Sequence, residues 1–145
     1  MSAPDPSPKP AGAIEVAAAL VFRQGKLLVT QRPPGTHLAG FWEFPGGKRE
    51  LRETWEQCLA RELVEELGIS VSVGTLYSEI QHAYPTKSVL LRFFLASLTP
   101  SSPEPRPIEC AAVRWITRAD LSAIEFPPAD ARLIEQLNSD LPLWH

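Results

Sequence analysis

The spacing of apolar and polar positions changes several times along the chain, and each change marks an element. IEVAAALVF, Ile14 to Phe22, is an apolar run of strand length. RQGK reads as a tight hairpin turn and LLVTQR as the returning strand. After the loop PPGTHLAG comes a short aromatic strand, FWEF, which PGG is expected to break. Thr54 opens a helix with Gln57 three residues on, as in a capping box. Gly68 closes it as a left-handed cap. Between them Leu59, Ala60, Leu63, Val64 and Leu67 form the expected inward side. ISVSVGTLYSEI alternates like a strand, and SVLLRFFLASL is a long strand with a buried centre.

The proline-laden loop SLTPSSPEPRPIE leads to a strand, AAVRWIT, and a short helical turn, RADLSAI. Pro128 then opens a last amphipathic helix through Leu137, with Ala129, Leu133, Ile134 and Leu137 inward. The order predicts an α/β (α+β) class, with helices packed on a mostly β core. Residues 13–145 are expected to form a single domain. Met1 to Gly12, rich in proline and small residues, is expected to be a disordered tail.

Composition narrows the function. A length of 145 residues suits one core, and 44% hydrophobic with 21% charged residues is ordinary for a globular protein. A net charge of -3 carries no polycationic footprint, so long nucleic acid is not expected as a partner, whereas a small nucleotide remains open. No apolar run reaches the length of a membrane span. Two cysteines, Cys58 and Cys110, are too few for a disulfide framework and fit a cytoplasmic location.

The unusual feature is on the first helix. Glu62, Glu65 and Glu66 stand at i, i+3 and i+4 and share one face. Like charges at these spacings cost about 0.2–0.5 kcal/mol per pair. A divalent cation would reverse the sign, and hard carboxylate oxygens suit Mg²⁺ or Mn²⁺. That face is expected to point away from the leucine side. Taken alone, the three residues favour a solvated surface in which Arg61 and Glu65 make an ordinary i,i+4 pair.

The full string resolves the alternatives. Gly47, five residues, Glu53, seven residues, then Arg61-Glu62-Leu63-Val64-Glu65-Glu66-Leu67-Gly68-Ile69 resembles the signature of the Nudix hydrolase family at every specified position. The resemblance implies a mixed β-sheet between helices, with the signature as loop, helix and loop. It implies Mg²⁺-dependent hydrolysis of a nucleoside diphosphate linked to another group, with Mn²⁺ as a possible substitute. The implied metal ligands are Glu62, Glu65, Glu66 and the Gly47 carbonyl, with Arg61 and Glu53 orienting them.

WEFPGGK, FPPAD and Glu109 six residues before Trp115 resemble the MutT-like branch of that family. This implies release of a nucleoside monophosphate and pyrophosphate from a triphosphate, with an oxidised dNTP such as 8-oxo-dGTP as the leading substrate. By the same likeness Glu109 reaches back to the metals when its loop closes, and either Glu62 or Glu109 is the general base. Arg32, Phe44, Lys48, Lys87 and Asp130 are the candidate substrate contacts, with His82 and Tyr84 as further pocket candidates.

Where the 8-oxo-dGTP branch has asparagine, this chain has Asp130, which resembles the relatives that hydrolyse CTP and modified dCTP. An ionised carboxylate only accepts hydrogen bonds, and Asp130 is expected to stay ionised in the first turn of its helix. A monomer or homodimer acting on a small-molecule nucleotide is expected. The readings from other classes are a non-catalytic Nudix-fold binding module and the oxidised-guanine reading domain of a DNA glycosylase. The intact glutamate set argues against the first, and the short, acidic chain against the second.

Overall fold

A computed structural model describes residues 13–145. The tail expected at Met1 to Gly12 lies outside the described residues. The elements are β1 (Ala13–Arg23), β2 (Lys26–Gln31), β3 (Trp42–Glu43), β4 (Gly46–Lys48), α1 (Trp55–Leu67), β5 (Val71–Ala83), β6 (Ser88–Leu98), β7 (Ala112–Ile116) and α2 (Ala131–Ser139). Short 3₁₀ turns cover Arg118–Ser122, Pro128–Asp130 and Leu141–Trp144.

The apolar run of β1 is continuous because both faces of the sheet are covered. Ala17, Ala19 and Val21 pack with Leu59, Leu63 and Leu67 of α1. Ala18 and Leu20 pack with Leu133 and Leu137 of α2. The sheet order is β3-β2-β1-β6-β5, with β7 on β2 and β4 on β1. β1 runs parallel to β6, and the other pairs are antiparallel. The mixed sheet between helices is thus the expected architecture.

β1 and β2 pair only beside their turn, through Phe22 with Leu27 and Arg23 with Lys26. Gln24 and Gly25 have φ of 51° and 76°, so the turn takes both central residues through the left-handed region, as a type I′ hairpin requires. Beyond it the strands part, and residues 42–48 enter the gap. β3 pairs with β2 through Thr30–Glu43 and Gln31–Trp42, and β4 pairs with β1 through Val16–Lys48, Ala17–Gly47 and Ala18–Gly46. The expectation that PGG only breaks structure is therefore corrected. Pro45 ends β3, its carbonyl accepting from Ala19 N–H at 2.8 Å, but the two glycines continue as a strand. Gly46 fits because a Cβ there would collide with the Ala17 carbonyl.

The caps of α1 form as expected. Thr54 Oγ1 accepts from Gln57 N–H at 3.0 Å, and Gln57 Oε1 accepts from Thr54 N–H at 2.9 Å. Gly68 has φ of 67°. The inward side differs from the expectation, since Val64 is 56% exposed and Cys58 is fully buried. Helical geometry gives the reason. At about 100° per residue, Glu66 lies roughly 20° from Leu59, whereas Val64 lies roughly 140° away. Burying Cys58 with the leucines turns Val64 to solvent and draws Glu62 and Glu66 towards the sheet. The last helix also begins differently, with a 3₁₀ turn before α2 starts at Ala131.

Candidate active site

The margin of α1 that faces β4 gathers most of the signature side chains. Glu62 and Glu66 are half-buried there, whereas Glu65 is exposed. Gly47 leaves room for the Glu62 carboxylate, which a Cβ there would displace. The Gly46 N–H reaches Glu66 Oε2 at 3.3 Å.

Arg61 is the hub of this face. Its Nε and Nη2 donate to the two Glu53 oxygens at 2.6 and 3.0 Å. Nη1 donates to Glu62 at 2.9 Å and Glu65 at 3.2 Å, and Nη2 also donates to the Lys48 carbonyl at 3.1 Å. The guanidinium holds the Glu53 carboxyl down to about 2 and is itself held more firmly protonated by Glu53.

The other carboxyls shift the opposite way. Burial raises Glu62 above its ordinary value, against the pull of Arg61, and the charges of Glu65 and Glu109 add to the rise. Burial pushes Glu66 up to about 7, with Glu43 and Glu62 contributing repulsion. Cys58 thiol is pushed up to about 12 by burial and is therefore unreactive.

The proline-rich loop is already docked on α1. Arg106 N–H donates to the Leu67 carbonyl at 3.0 Å, and Ile108 and Glu109 N–H donate to the Glu66 carbonyl at 3.1 and 3.2 Å. These bonds satisfy carbonyls left free at a helix C-terminus. They bring Glu109 to the glutamate face without a closing movement.

A cavity of 320 Å³ opens beside β4, over β1 and β6. Arg32, Glu43, Phe44, Lys48 and Asp130 line it, and Gly46 and Gly47 join it to the carboxylate face. Arg32 is held by the His37 carbonyl at 2.6 Å and by Glu43 at 3.0 Å. Phe44 stacks on Phe126 at 5.4 Å and meets Phe93 edge-on at 6.1 Å, so it is both core and cavity wall.

Asp130 is only 7% exposed and makes no capping bond to its helix. Burial and the Glu43 charge push its carboxyl up to about 6. The expected dipole effect is outweighed. Lys87 does not line the cavity. It is exposed at the β5–β6 turn with its ammonium 5.8 Å from the Tyr84 ring centre. Tyr84 does line the cavity and His82 does not. Glu43 and His37 were not singled out by sequence reasoning, which had no signal for the partner of Arg32 or for the loop that folds over it.

Among the described residues, no group of three or more His, Cys, Asp or Glu converges closely enough to hold a metal ion. The reason is visible in the ion pairs. Arg61 engages Glu62 and Glu65, while Glu66 turns towards Gly46. The donor chemistry nevertheless fits a hard divalent cation, because two half-buried carboxylates that resist ionisation gain from positive charge.

This fold and carboxylate face have known counterparts. The NUDIX domain model matches residues 17–136. A Haemophilus influenzae protein named 8-oxo-dGTP diphosphatase is 41% identical over 125 residues, covering 86% of this chain and 90% of that one. An Escherichia coli protein named CTP pyrophosphohydrolase is 36% identical over 122 residues, covering 84% and 89%. A solved structure from work on MutT of Aliivibrio salmonicida and Vibrio cholerae superposes with a TM-score of 0.72 at 30% identity, covering 88% of this chain and 97% of that one. The chain belongs to the Nudix family and is a Nudix hydrolase. Enzymes of this family generally act with a divalent metal ion. No helix among the described residues is long and apolar enough to cross a membrane.

The raised carboxyls set a pH dependence for the metal-free protein. Glu66 and Asp130 bind protons more tightly folded than unfolded. Their contribution to stability is full below the ordinary carboxylate range and is lost as pH rises through about 6 and about 7. Glu53 acts the other way, losing its contribution only as pH falls towards about 2. In chelator, thermal unfolding should therefore show Tm dropping by roughly 5 °C between acidic and alkaline ends of this window. Glu66→Gln should shrink the drop. A Tm that rises across the window contradicts this account of the buried carboxyls.

Proposed function

We propose that this hydrolase cleaves nucleoside triphosphates to the monophosphate and pyrophosphate with Mg²⁺, replaceable by Mn²⁺, and that its preferred substrates are oxidised dNTPs such as 8-oxo-dGTP. The observation that carries the reading is the continuity of the 320 Å³ cavity with the glutamate face through Gly46 and Gly47. A base beside Phe44 and Asp130 would direct its phosphates past Lys48 to those carboxylates. The Haemophilus influenzae relative named 8-oxo-dGTP diphosphatase supports this substrate class. We place the enzyme in the cytoplasm, where nucleotides are drawn on and where free thiols at Cys58 and Cys110 are stable.

In this reading Glu62, Glu65 and Glu66 would hold the metal, with the Gly47 carbonyl and Glu109 as further ligands. The ion, when bound, neutralises phosphate charge and lowers the pKa of water. Arg61 orients the carboxylates through its bonds to Glu62 and Glu65. Glu109, brought to this face by its backbone bond to the Glu66 carbonyl and not engaged by Arg61, takes the proton of the attacking water. Lys48 neutralises charge at the mouth of the cavity, and Arg32 fixes Glu43 and the His37 loop along its wall. Lys87 has no place in this account.

A second reading has its own support. Asp130 accepts from an exocyclic amine, which cytosine also offers, and the Escherichia coli relative at 36% identity is named CTP pyrophosphohydrolase. Both readings keep the same bond cleavage. They differ only in the base.

Hydrolysis in ¹⁸O-labelled water with Mg²⁺ should give monophosphate and pyrophosphate. Primary release of inorganic phosphate and a diphosphate contradicts the reading. Glu62→Gln should fold and lose ~10²-fold or more in kcat together with metal affinity, whereas Glu109→Gln should lose kcat and keep most of the metal affinity. Near wild-type turnover of Glu62→Gln excludes the assignment.

Across bases, dGTP-type and dCTP-type substrates should outrun dTTP and dUTP, with 8-oxo-dGTP first. Each unsatisfied buried group costs ~1–3 kcal/mol. Asp130→Asn should compress or reorder that ranking without altering metal affinity. An unchanged ranking would place base reading elsewhere.

A further inference from the structure

We propose that Arg49 is a positioning residue, bracing the β4–α1 loop so that Arg61 can hold the carboxylate face in register. The inference rests on the reading of that face as the reaction centre, and extends it to a residue outside the cavity and outside the glutamate cluster.

Arg49 follows the last residue of β4 and is tied down at several points. Its backbone N–H donates to the Glu15 carbonyl at 2.8 Å, which prolongs the pairing of β4 with β1. Its Nη2 donates to Glu15 Oε1 at 2.5 Å, and its Nη1 donates to the Glu53 carbonyl at 2.6 Å. Its guanidinium also lies 5.2 Å from the centre of the Trp55 ring. One planar group therefore joins the first strand, the end of the loop and the first residue of α1.

The surroundings make this brace stiff. Glu15 is buried, so its bond to Arg49 is shielded from water. Trp55 also receives the Arg92 guanidinium at 4.7 Å and contacts Phe94 at 6.4 Å. Arg92 is itself buried and pairs with Glu79 at 2.9 Å. The result is a ladder of alternating charge and ring, Glu15–Arg49–Trp55–Arg92–Glu79, that crosses from β1 through the loop and α1 to β6 and β5. A cation over an indole face is favourable, and more so when desolvated.

The two outer anchors of Arg61 flank the braced segment, one at the end of β4 and one in the loop before α1. Lys48 offers the carbonyl that Arg61 Nη2 reaches, and Glu53 offers both carboxylate oxygens. Arg61 in turn spans Glu62 and Glu65. Displacing the loop shifts Lys48 and Glu53 together, and Arg61 loses the frame that aims its remaining donors. Lysine cannot substitute, since one ammonium has no fork to meet Glu15 and the Glu53 carbonyl while lying flat near a ring.

The test uses two variants of the full chain. Arg49→Met combined with Glu15→Gln removes both charges of this pair together, so that neither is left facing the loss of the other. Arg49→Lys keeps the charge and loses the fork. In the metal-free proteins, NMR follows solvent exchange of the Arg61 Nε–H, and calorimetry measures Mn²⁺ binding. Steady-state rates with the nucleotide complete the set.

Arg61 Nε–H should exchange ~10-fold or more faster in the double variant, with Mn²⁺ bound ~10-fold more weakly and kcat reduced ~10-fold, while KM for the nucleotide changes by less than ~2-fold. Arg49→Lys should move the same quantities in the same direction. A folded variant of either kind with wild-type Arg61 exchange and wild-type Mn²⁺ affinity overturns the proposal, even if its Tm is lower. Wild-type protein that fails to release pyrophosphate overturns the proposed reaction instead, and the Arg61 exchange comparison still decides the role of Arg49.

Discussion

A helix that buries a leucine stripe and carries carboxylates at the edge of that stripe needs a counter-charge, and Arg61 supplies it. The guanidinium meets Glu53, Glu62 and Glu65 together with the Lys48 carbonyl. Its planar fork is suited to that many acceptors at once. The arrangement is not neutral in effect. It satisfies Glu53, tethers Glu62 and Glu65, and leaves Glu66 outside its reach, turned towards the Gly46 N–H. A face that is stable without metal in this way is also one that metal can rearrange.

The second determinant is the parting of β1 and β2. A hairpin that stayed paired along its length would leave no room for residues 42–48. Because pairing stops after Phe22 and Leu27, one short segment serves both strands and places Phe44 on one side and Gly46 and Gly47 on the other. The cavity and the carboxylate face are thus two consequences of one gap. Covering the sheet on both sides by α1 and α2 then fixes its walls, with Asp130 contributed from the α2 side.

Local signals were legible in the sequence, and long-range ones were not. Thr54, Gln57 and Gly68 act within their own helix, so the capping box and left-handed cap could be read directly. Glu62, Glu65 and Glu66 share a helix face at fixed spacing, so their proximity also followed. The orientation of that helix did not follow, because burial of Cys58 rather than Val64 depends on what it packs against. β4 was missed since paired glycines disfavour a strand except where another backbone comes close, as Ala17 does here. Glu43 was missed because its partnership with Arg32 joins separate strands. Lys87 was overrated because charge alone does not say which way a turn residue points.

We propose that the sheet-facing margin of α1 is a divalent-metal site whose carboxylates Arg61 orders in the absence of the ion. Calorimetry of Mn²⁺ binding in buffers of different ionisation enthalpy tests it directly, since it counts the protons displaced by the ion. Glu66, held near pKa about 7 in the metal-free protein, must give up its proton to bind metal. The account predicts proton release that falls as pH rises past that pKa, and that is reduced in Glu66→Gln. Proton release that does not vary with pH, or the absence of Mn²⁺ binding, would contradict it.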